Sequence, residues 1–316
     1  MGKAGEPRQV ERKIYFYRAD AGSDAGGAPV GLDLADTLQK VEAVPFAADS
    51  KRYWLQRGGD AIGLWMPSSS HTYDRFVLAA VRRSSFPQSE LNGTLADLDL
   101  GAGAGLHEPI HVRLYPDNLV GIEFNFHGPR PSRLPLYLQH VIPGAPKFML
   151  EALLRKDAED QLLHQSEMRL LDLHLRPSYI AEVRKASKSL GEAFEAMTKV
   201  SKAEVIGITL RPEPNKRTPL GNRVLKGTRK LAGRSDLSEN VVKFKAKGIN
   251  DLTGKVETIN LLDDQLVSHK KIVTLGPNSR AVDSTAAFDA IDAAYETLKP
   301  QLLEASGISA AQDDGS

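Results

Sequence analysis

The sequence contains no cysteine among its 316 residues. This absence excludes disulfide bonds, thiolate metal ligands and a cysteine nucleophile, and it fits a reducing, cytoplasmic location. Long apolar runs are also missing, because no segment approaches the about 20 consecutive apolar residues that span a membrane. The first residues, MGKAGEPRQVERK, lack the apolar core of a secretory signal. We therefore expect a globular protein of the cytoplasm.

The chain has almost no surplus of charge of either sign, because 41 Lys and Arg oppose 40 Asp and Glu. One stretch departs from this balance: Arg211–Lys247 holds eleven Lys or Arg and three Asp or Glu, a net charge of +8, so the rest of the chain carries −7. Positive charge clustered in this way is typical of a polyanion partner, most often nucleic acid. A solvated loop and an exposed helix face are the alternative interpretation of the same stretch.

Apolar periodicity predicts an α+β protein, and the length suggests two domains. Turn residues at Gly58-Gly59-Asp60 and at Pro116-Asp117-Asn118 each lie between alternating apolar runs, which predicts two similar β-hairpins in one meander sheet. The expected organisation is an N-terminal β-hairpin-rich meander domain (1–147), a connecting helix (148–167), a C-terminal α/β sandwich-like domain with a basic surface (168–305) and a disordered tail (306–316).

The second half begins with a predicted strand, Met168–Arg176, followed by an amphipathic helix from about Ser178 to Val200 and a strand, Glu204–Arg211. A right-handed crossover that places the two strands in parallel is the default for such a unit. The chain closes with a predicted helix, Ser284–Glu304, for which Ser284 is a plausible N-cap.

The basic stretch combines a predicted short helix ending at Leu231 with the run Val241–Lys247 (VVKFKAK), whose alternation predicts a half-exposed strand. The lysines of this strand would share one face, and Val242, Phe244 and Ala246 would point the other way. Such cations are suited to contact the phosphates of a nucleic acid, and we expect binding with weak sequence preference. The candidate DNA-binding residues are Arg211, Lys216, Arg217, Arg223, Lys226, Arg229, Lys230, Arg234, Lys243 and Lys245, with Arg184, Lys185 and Lys188 extending the groove.

Two short motifs resemble catalytic signatures. His107-Glu108-Pro109-Ile110-His111 matches the H-E-x-x-H zinc motif, but that chemistry needs a helix and Pro109 disfavours one, so a loop-to-strand junction is expected. Gly101–Gly105 (GAGAG), at the end of a loop region from Ser84, lacks the glycine spacing and the following helix of a dinucleotide site. The sequence therefore predicts neither a cofactor nor a metal site.

A metal-dependent nuclease stays open as an alternative, because acidic residues can hold Mg²⁺ beside a basic surface. Asp172 followed by Glu182 and Lys185 is the nearest approach to such a set. A surface ion pair between Glu182 and Lys185, three residues apart on a helix, is the expected arrangement instead. A further alternative is a protein-interaction module whose basic stretch docks an acidic partner. We expect a non-enzymatic protein.

Several stretches together resemble the RexA-like phage-exclusion proteins of lambdoid prophages and, more distantly, the DNA-binding component of the Kiwa defence system. These are Asp117–Pro131 (DNLVGIEFNFHGPRP), Leu171–Lys188 with its basic-Pro pair and basic helix, Val242–Val273, and the opening strand within Met1–Tyr17. The resemblance implies a two-domain α+β homodimer that binds double-stranded DNA without strong sequence preference. It also implies a role as a sensor in phage exclusion, with a membrane protein as the effector partner.

Overall fold

The computed structural model describes residues 8–22, 30–47, 50–67, 72–98, 100–101, 103–200, 202–213, 219–234, 237–262 and 264–306. These residues form helices together with antiparallel sheets, which confirms the predicted α+β class. The chain groups into two compact units: unit 1 is Met1–Met149 with Val267–Thr297, and unit 2 is Leu150–Leu266 with Leu298–Ser316. All but the first residue of the predicted disordered tail lies outside the described residues.

Unit 1 contains most of the strands. In chain order its first segment comprises β1 (Gln9–Asp20), α1 (Ala35–Ala43), β2 (Trp54–Leu55), β3 (Ala61–Trp65), β4 (Arg75–Arg82), β5 (Gln88–Leu91), β6 (Thr94–Asp97), β7 (Leu106–Leu114), β8 (Leu119–Glu123) and α2 (Arg133–Val141). The strand β9 (Met149–Ala152) leads into unit 2. The elements that follow there are α3 (Lys156–Leu163), β10 (Gln165–Leu175), α4 (Ile180–Ala186), α5 (Lys188–Val200), β11 (Ile206–Leu210), α6 (Asn222–Ala232), α7 (Leu237–Asn240), β12 (Val241–Asn250) and β13 (Val256–Asn260). The chain ends with β14 (Val267–Val273) and α8 (Ser284–Ala305).

The main sheet of unit 1 has the strand order β14-β1-β8-β7-β4-β3-β2, with antiparallel neighbours throughout. The run from β2 to β8 is the predicted meander, and both predicted hairpins are present. Gly58 and Gly59 turn the first hairpin, and Asp117 and Asn118 turn the second; all four residues have positive φ, which glycine, Asp and Asn tolerate best. Turn chemistry therefore located these hairpins correctly.

The loop predicted between Ser84 and Gly105 contains a hairpin of its own. β5 pairs with β6 around Asn92-Gly93, and the φ values of these two residues are 50° and 82°. Asn-Gly is the preferred pair for a type I′ hairpin turn, so the local signal was present in the sequence. It was missed because the flanking residues are exposed and carry little apolar alternation.

In the described residues neither motif stretch is helical, and the predicted junction of loop and strand falls just before His107, since β7 begins at Leu106. His107–His111 is part of β7 and is extended, as expected from Pro109. Gly101 and Gly103 have φ values of 80° and 79° in the loop before β7, and a strand rather than a helix follows them. Neither stretch adopts the backbone that its motif requires.

The N-terminus of α8 is capped by Asp283 rather than by the predicted Ser284. The backbone N–H of Ala286 donates to Asp283 Oδ1 at 2.9 Å. The N-cap lies one residue before the predicted one. Asp and Ser are both good N-cap residues, so the sequence alone does not decide between these two neighbours. The Ser284 hydroxyl is consequently free for another partner.

Unit 2 contains a four-stranded antiparallel sheet in the order β11-β10-β12-β13. Alternate strand residues such as Leu173, Phe244 and Ile259 pack with helix residues such as Phe194 and Leu231 in one buried cluster. The helices therefore cover one face of this sheet. The strand residues between the buried ones point to the other face, because successive side chains of a strand alternate. This two-layer arrangement positions the basic stretch.

Three predictions about unit 2 are wrong. The stretch predicted as a connecting helix (148–167) instead forms β9, α3 and the start of β10. The single helix predicted from Ser178 to Val200 breaks at Ser187, whose φ and ψ are −149° and 108°. The strands β10 and β11 are antiparallel rather than parallel. The break explains the last error, because a second helix brings the chain back to the end of the sheet at which β10 stops, where Leu175 pairs with Ile206.

Candidate nucleic-acid interface

The helix α6 presents three basic side chains to solvent on one face. Arg223, Lys226 and Lys230 are exposed at spacings of three and four residues, while Leu225 and Leu231 of the opposite face join the buried core. Within the described part of the chain, none of these three cations forms an ion pair. We call these three residues the helical basic surface.

Two other basic residues of the same segment hold the fold together. The Arg229 guanidinium donates to the backbone carbonyls of Leu162, Leu163 and Gln165 at 3.1, 2.7 and 3.0 Å. The first two carbonyls lie at the C-terminal end of α3, where a cation is favourable and acceptors lack helical partners, and the third belongs to the first residue of β10. Arg229 is therefore engaged with the backbone of unit 2 and is less available to a duplex than the three residues of the helical basic surface.

Arg234 is engaged in a similar way. Its guanidinium donates to the Tyr179 hydroxyl at 3.1 Å and pairs with Glu182 at 2.6 Å. The bond joins the segment after α6 to α4. Sequence reasoning could not find this role, because both partners lie more than 50 residues away in the chain.

The cations expected to extend the groove are paired with carboxylates. Arg184 contacts Glu195 at 3.0 Å, and Lys185 contacts Glu182 at 2.8 Å, which is the predicted helix pair. Lys188 lies 3.9 Å from Glu192. These residues are exposed and adjoin α6, but their net charge is locally cancelled. They add less to a phosphate-binding surface than the unpaired cations of α6.

The lysines of β12 lie on the opposite face of the sheet from α6. Lys243, Lys245 and Lys247 alternate with the buried Phe244 and Ala246, as predicted. Val242 is an exception, since it is 56% exposed and Val241 is buried in its place. A register shift where β10 reaches Leu175 displaces the alternation by one residue.

A second set of free cations therefore exists on this open face. Arg211 is exposed just after β11, and Lys245 and Lys247 form no ion pair within the described residues. We call Arg211, Lys245 and Lys247 the sheet basic surface. Because the sheet separates it from the helical basic surface, the predicted residues that the structure describes do not form one continuous site. Lys216 and Arg217 lie outside the described residues.

Lys243 is held by a polar cluster on the open face. Its Nζ lies 2.6 Å from Asp172 Oδ2, and the other carboxylate oxygen accepts from the Thr209 hydroxyl at 2.9 Å. His174 Nε2 also lies 2.9 Å from that oxygen. Hydrogen bonds from Lys243 first, and then from Thr209 and His174, lower the pKa of Asp172 to about 2 against the opposing effect of burial. From the sequence alone, Asp172 is a candidate only as a metal ligand.

We predict that Asp172→Asn lowers the free energy of unfolding by about 1–2 kcal/mol at pH 7, because the half-exposed Lys243 is partly screened by solvent. The wild-type pKa lies below its ordinary value of 3.8, so the carboxylate stabilises the fold above about pH 4. This contribution is lost as the pH falls towards 2, and the two proteins should converge there. Urea denaturation between pH 2 and pH 7 measures the difference. Asp160→Asn, which removes an exposed ion pair with Lys156, is the matched control and should cost less than about 0.5 kcal/mol.

Three further observations bear on the class of site. Among the described residues, no three His, Asp or Glu side chains are placed to hold a metal ion together. No helix in the described ranges is both long and apolar enough to span a membrane. Comparison of the chain with protein-family models and with curated proteins found no match. The function is therefore inferred from the charges and their placement.

Proposed function

We propose that this chain binds double-stranded DNA with little sequence preference, through the helical basic surface, and that this binding involves no catalytic step. The observation that supports this most strongly is the set of three exposed cations on one face of α6 without carboxylate partners in the described residues. In contrast, the cations of α4 and α5 are paired with glutamates. Unpaired cations gain most from a polyanion, because no existing ion pair has to break.

The helical basic surface carries no group arranged to read bases. Its side chains are Arg and Lys on a short, exposed helix face, and such side chains contact phosphates regardless of sequence. Three phosphate contacts give only weak, salt-sensitive binding, in the range of non-specific association. A homodimer would double the number of contacts and make binding tighter.

The resemblance to the RexA-like proteins supports the remaining parts of the proposal. It favours a cytoplasmic homodimer that senses DNA during phage exclusion and signals to a membrane effector protein. Charge complementarity supports the proposal that DNA is the partner. The proposals of a homodimer and of a membrane effector depend on the resemblance alone. A partner protein with an acidic surface would be attracted by the same cations, so DNA binding has to be measured directly.

Binding should weaken steeply with salt. For three phosphate contacts the slope of log K against log salt is about −2.7, so affinity should fall about 40-fold between 50 and 200 mM salt; six contacts of a dimer give about 10³-fold. Fluorescence anisotropy with two labelled duplexes of unrelated sequence measures the slope, and both duplexes should give the same value. Absence of binding at 50 mM salt, or salt-independent binding, would contradict the proposal.

A further inference from the structure

Unit 1 contains a chain of hydrogen-bonded side chains that the proposed DNA binding does not use. His111 of β7 is fully buried and lies between Glu123 of β8 and Ser284 of α8. Its Nδ1 is 3.1 Å from Glu123 Oε2, and its Nε2 is 3.0 Å from Ser284 Oγ. The order of groups is hydroxyl, imidazole, carboxylate, in which the base reaches the hydroxyl and the acid orients the base.

The partners fix the tautomer of His111. A carboxylate can only accept hydrogen bonds, so Nδ1 has to carry the proton that faces Glu123. In the neutral ring Nε2 is then an acceptor, and the Ser284 hydroxyl donates to it. This is the protonation pattern in which an imidazole can take the proton of an attacking hydroxyl.

Glu123 faces a cation through its other carboxylate oxygen. Arg12 Nε lies 3.0 Å from Glu123 Oε1, as an ion pair rather than as an aligned hydrogen bond. Arg12 is itself positioned by its bond to the backbone carbonyl of Arg280 at 2.6 Å. The carboxylate is 1% exposed, so it faces the imidazole in a fixed orientation. A base that is oriented in this way needs no rearrangement before it acts.

Ser284 has the placement that a nucleophile needs. It is exposed at the first turn of α8, and its hydroxyl is not needed as a cap because Asp283 accepts from Ala286. Within the described residues, the backbone N–H groups of Ser284 and Thr285 have no acceptor. Free N–H groups at the start of a 22-residue helix stabilise a negatively charged oxygen.

We propose that Ser284, His111 and Glu123 form a nucleophilic triad that cleaves carboxylic esters. Ser284 Oγ attacks the carbonyl carbon while its proton passes to His111 Nε2, and the tetrahedral oxygen lies against the N–H groups of the first turn. The bond to the alcohol breaks, and the alcohol leaves with the proton from Nε2. Water then attacks the acyl carbon and gives a proton to Nε2. The bond from that carbon to Ser284 Oγ breaks, the acid leaves, and Nε2 returns the proton to Oγ.

A fluorophosphonate probe tests this activity, because it forms a covalent bond only with an activated serine. Intact-mass measurement should show one adduct on the folded wild-type chain, located at Ser284 by peptide mapping. Ser284→Ala should form none, while Thr285→Ala, the neighbouring hydroxyl, should still be labelled. Hydrolysis of p-nitrophenyl acetate should fall at least about 100-fold in Ser284→Ala, since loss of the nucleophile removes the covalent route.

Two controls separate a triad from a purely structural network. Wild-type protein unfolded in urea should not be labelled, because the activation depends on the fold. Ser284→Ala keeps the Asp283 cap and should bind the DNA duplex as the wild type does, so failure of this proposal and failure of DNA binding are distinguishable. An unlabelled wild type, labelling of Ser284→Ala at the wild-type rate, or an adduct at another residue would each overturn the triad.

Discussion

Arg52→Ala is expected to destabilise the fold by about 3–5 kcal/mol, the largest effect on stability that we predict for a single residue. Arg52 is 3% exposed and lies in the core of unit 1. Its guanidinium donates to the carbonyl of Leu64 at 2.8 and 3.0 Å, and to the carbonyls of Val41 and Val44. It also lies 4.6 Å from the centre of the Phe46 ring.

The cost of this substitution comes from the groups that it leaves behind. The C-terminal end of α1 would lose its cation, and buried carbonyls would lose their donors, each at about 1–3 kcal/mol. Burial lowers the pKa of Arg52, but a guanidinium keeps its proton at neutral pH. Guanidinium chloride denaturation measures the loss. Lys51→Ala, an exposed neighbour, should stay within about 0.5 kcal/mol of wild type, and a similarly small change for Arg52→Ala would refute the prediction.

Replacing Arg223, Lys226 and Lys230 together by alanine is expected to weaken binding to a DNA duplex by about 10²–10³-fold at 50 mM salt. Each charged contact to a phosphate contributes about 1–1.5 kcal/mol, and three of them sum to about 3–4.5 kcal/mol. All three side chains are exposed and unpaired in the described residues, so the variant should fold normally. Anisotropy titration against a labelled duplex measures the change, and circular dichroism confirms the fold.

Arg229 is deliberately left out of this variant. Its side chain is bonded to the end of α3, so its removal would combine a folding defect with any binding defect. The same reasoning excludes Arg234, which is bonded to Tyr179 and Glu182. An unchanged affinity of the triple variant at low salt would show that α6 does not contact DNA. The basic stretch would then be a solvated surface or a docking site for an acidic protein.

Local signals in the sequence were sufficient to predict the elements that are defined by turn residues or by alternating apolar residues. Glycine, Asp and Asn at positive φ marked both predicted hairpins, and the alternation of VVKFKAK marked β12. The pair between Glu182 and Lys185 followed from their spacing on a helix. In each case the residues that determine the structure are neighbours in the chain.

The partners of the basic residues could not be predicted in this way. Arg229 is bonded to carbonyls more than 60 residues away, and Lys243 is fixed by Asp172 on a neighbouring strand. The basic residues are close in the chain, and this closeness predicts a single surface. The sheet divides them, since α6 packs on one face and alternate residues of β12 point to the other.

The most direct test compares the salt slopes of two variants that lose the same charge. One lacks the helical basic surface, and the other has Arg211, Lys245 and Lys247 of the sheet basic surface changed to alanine. We predict that the first loses about three units of slope per protomer while the second keeps the wild-type slope, because each lost phosphate contact removes close to one unit. Equal losses in both variants would show that only the overall charge matters, and the reverse order would place the DNA on the open face of the sheet. Either result would contradict the assignment of DNA binding to α6.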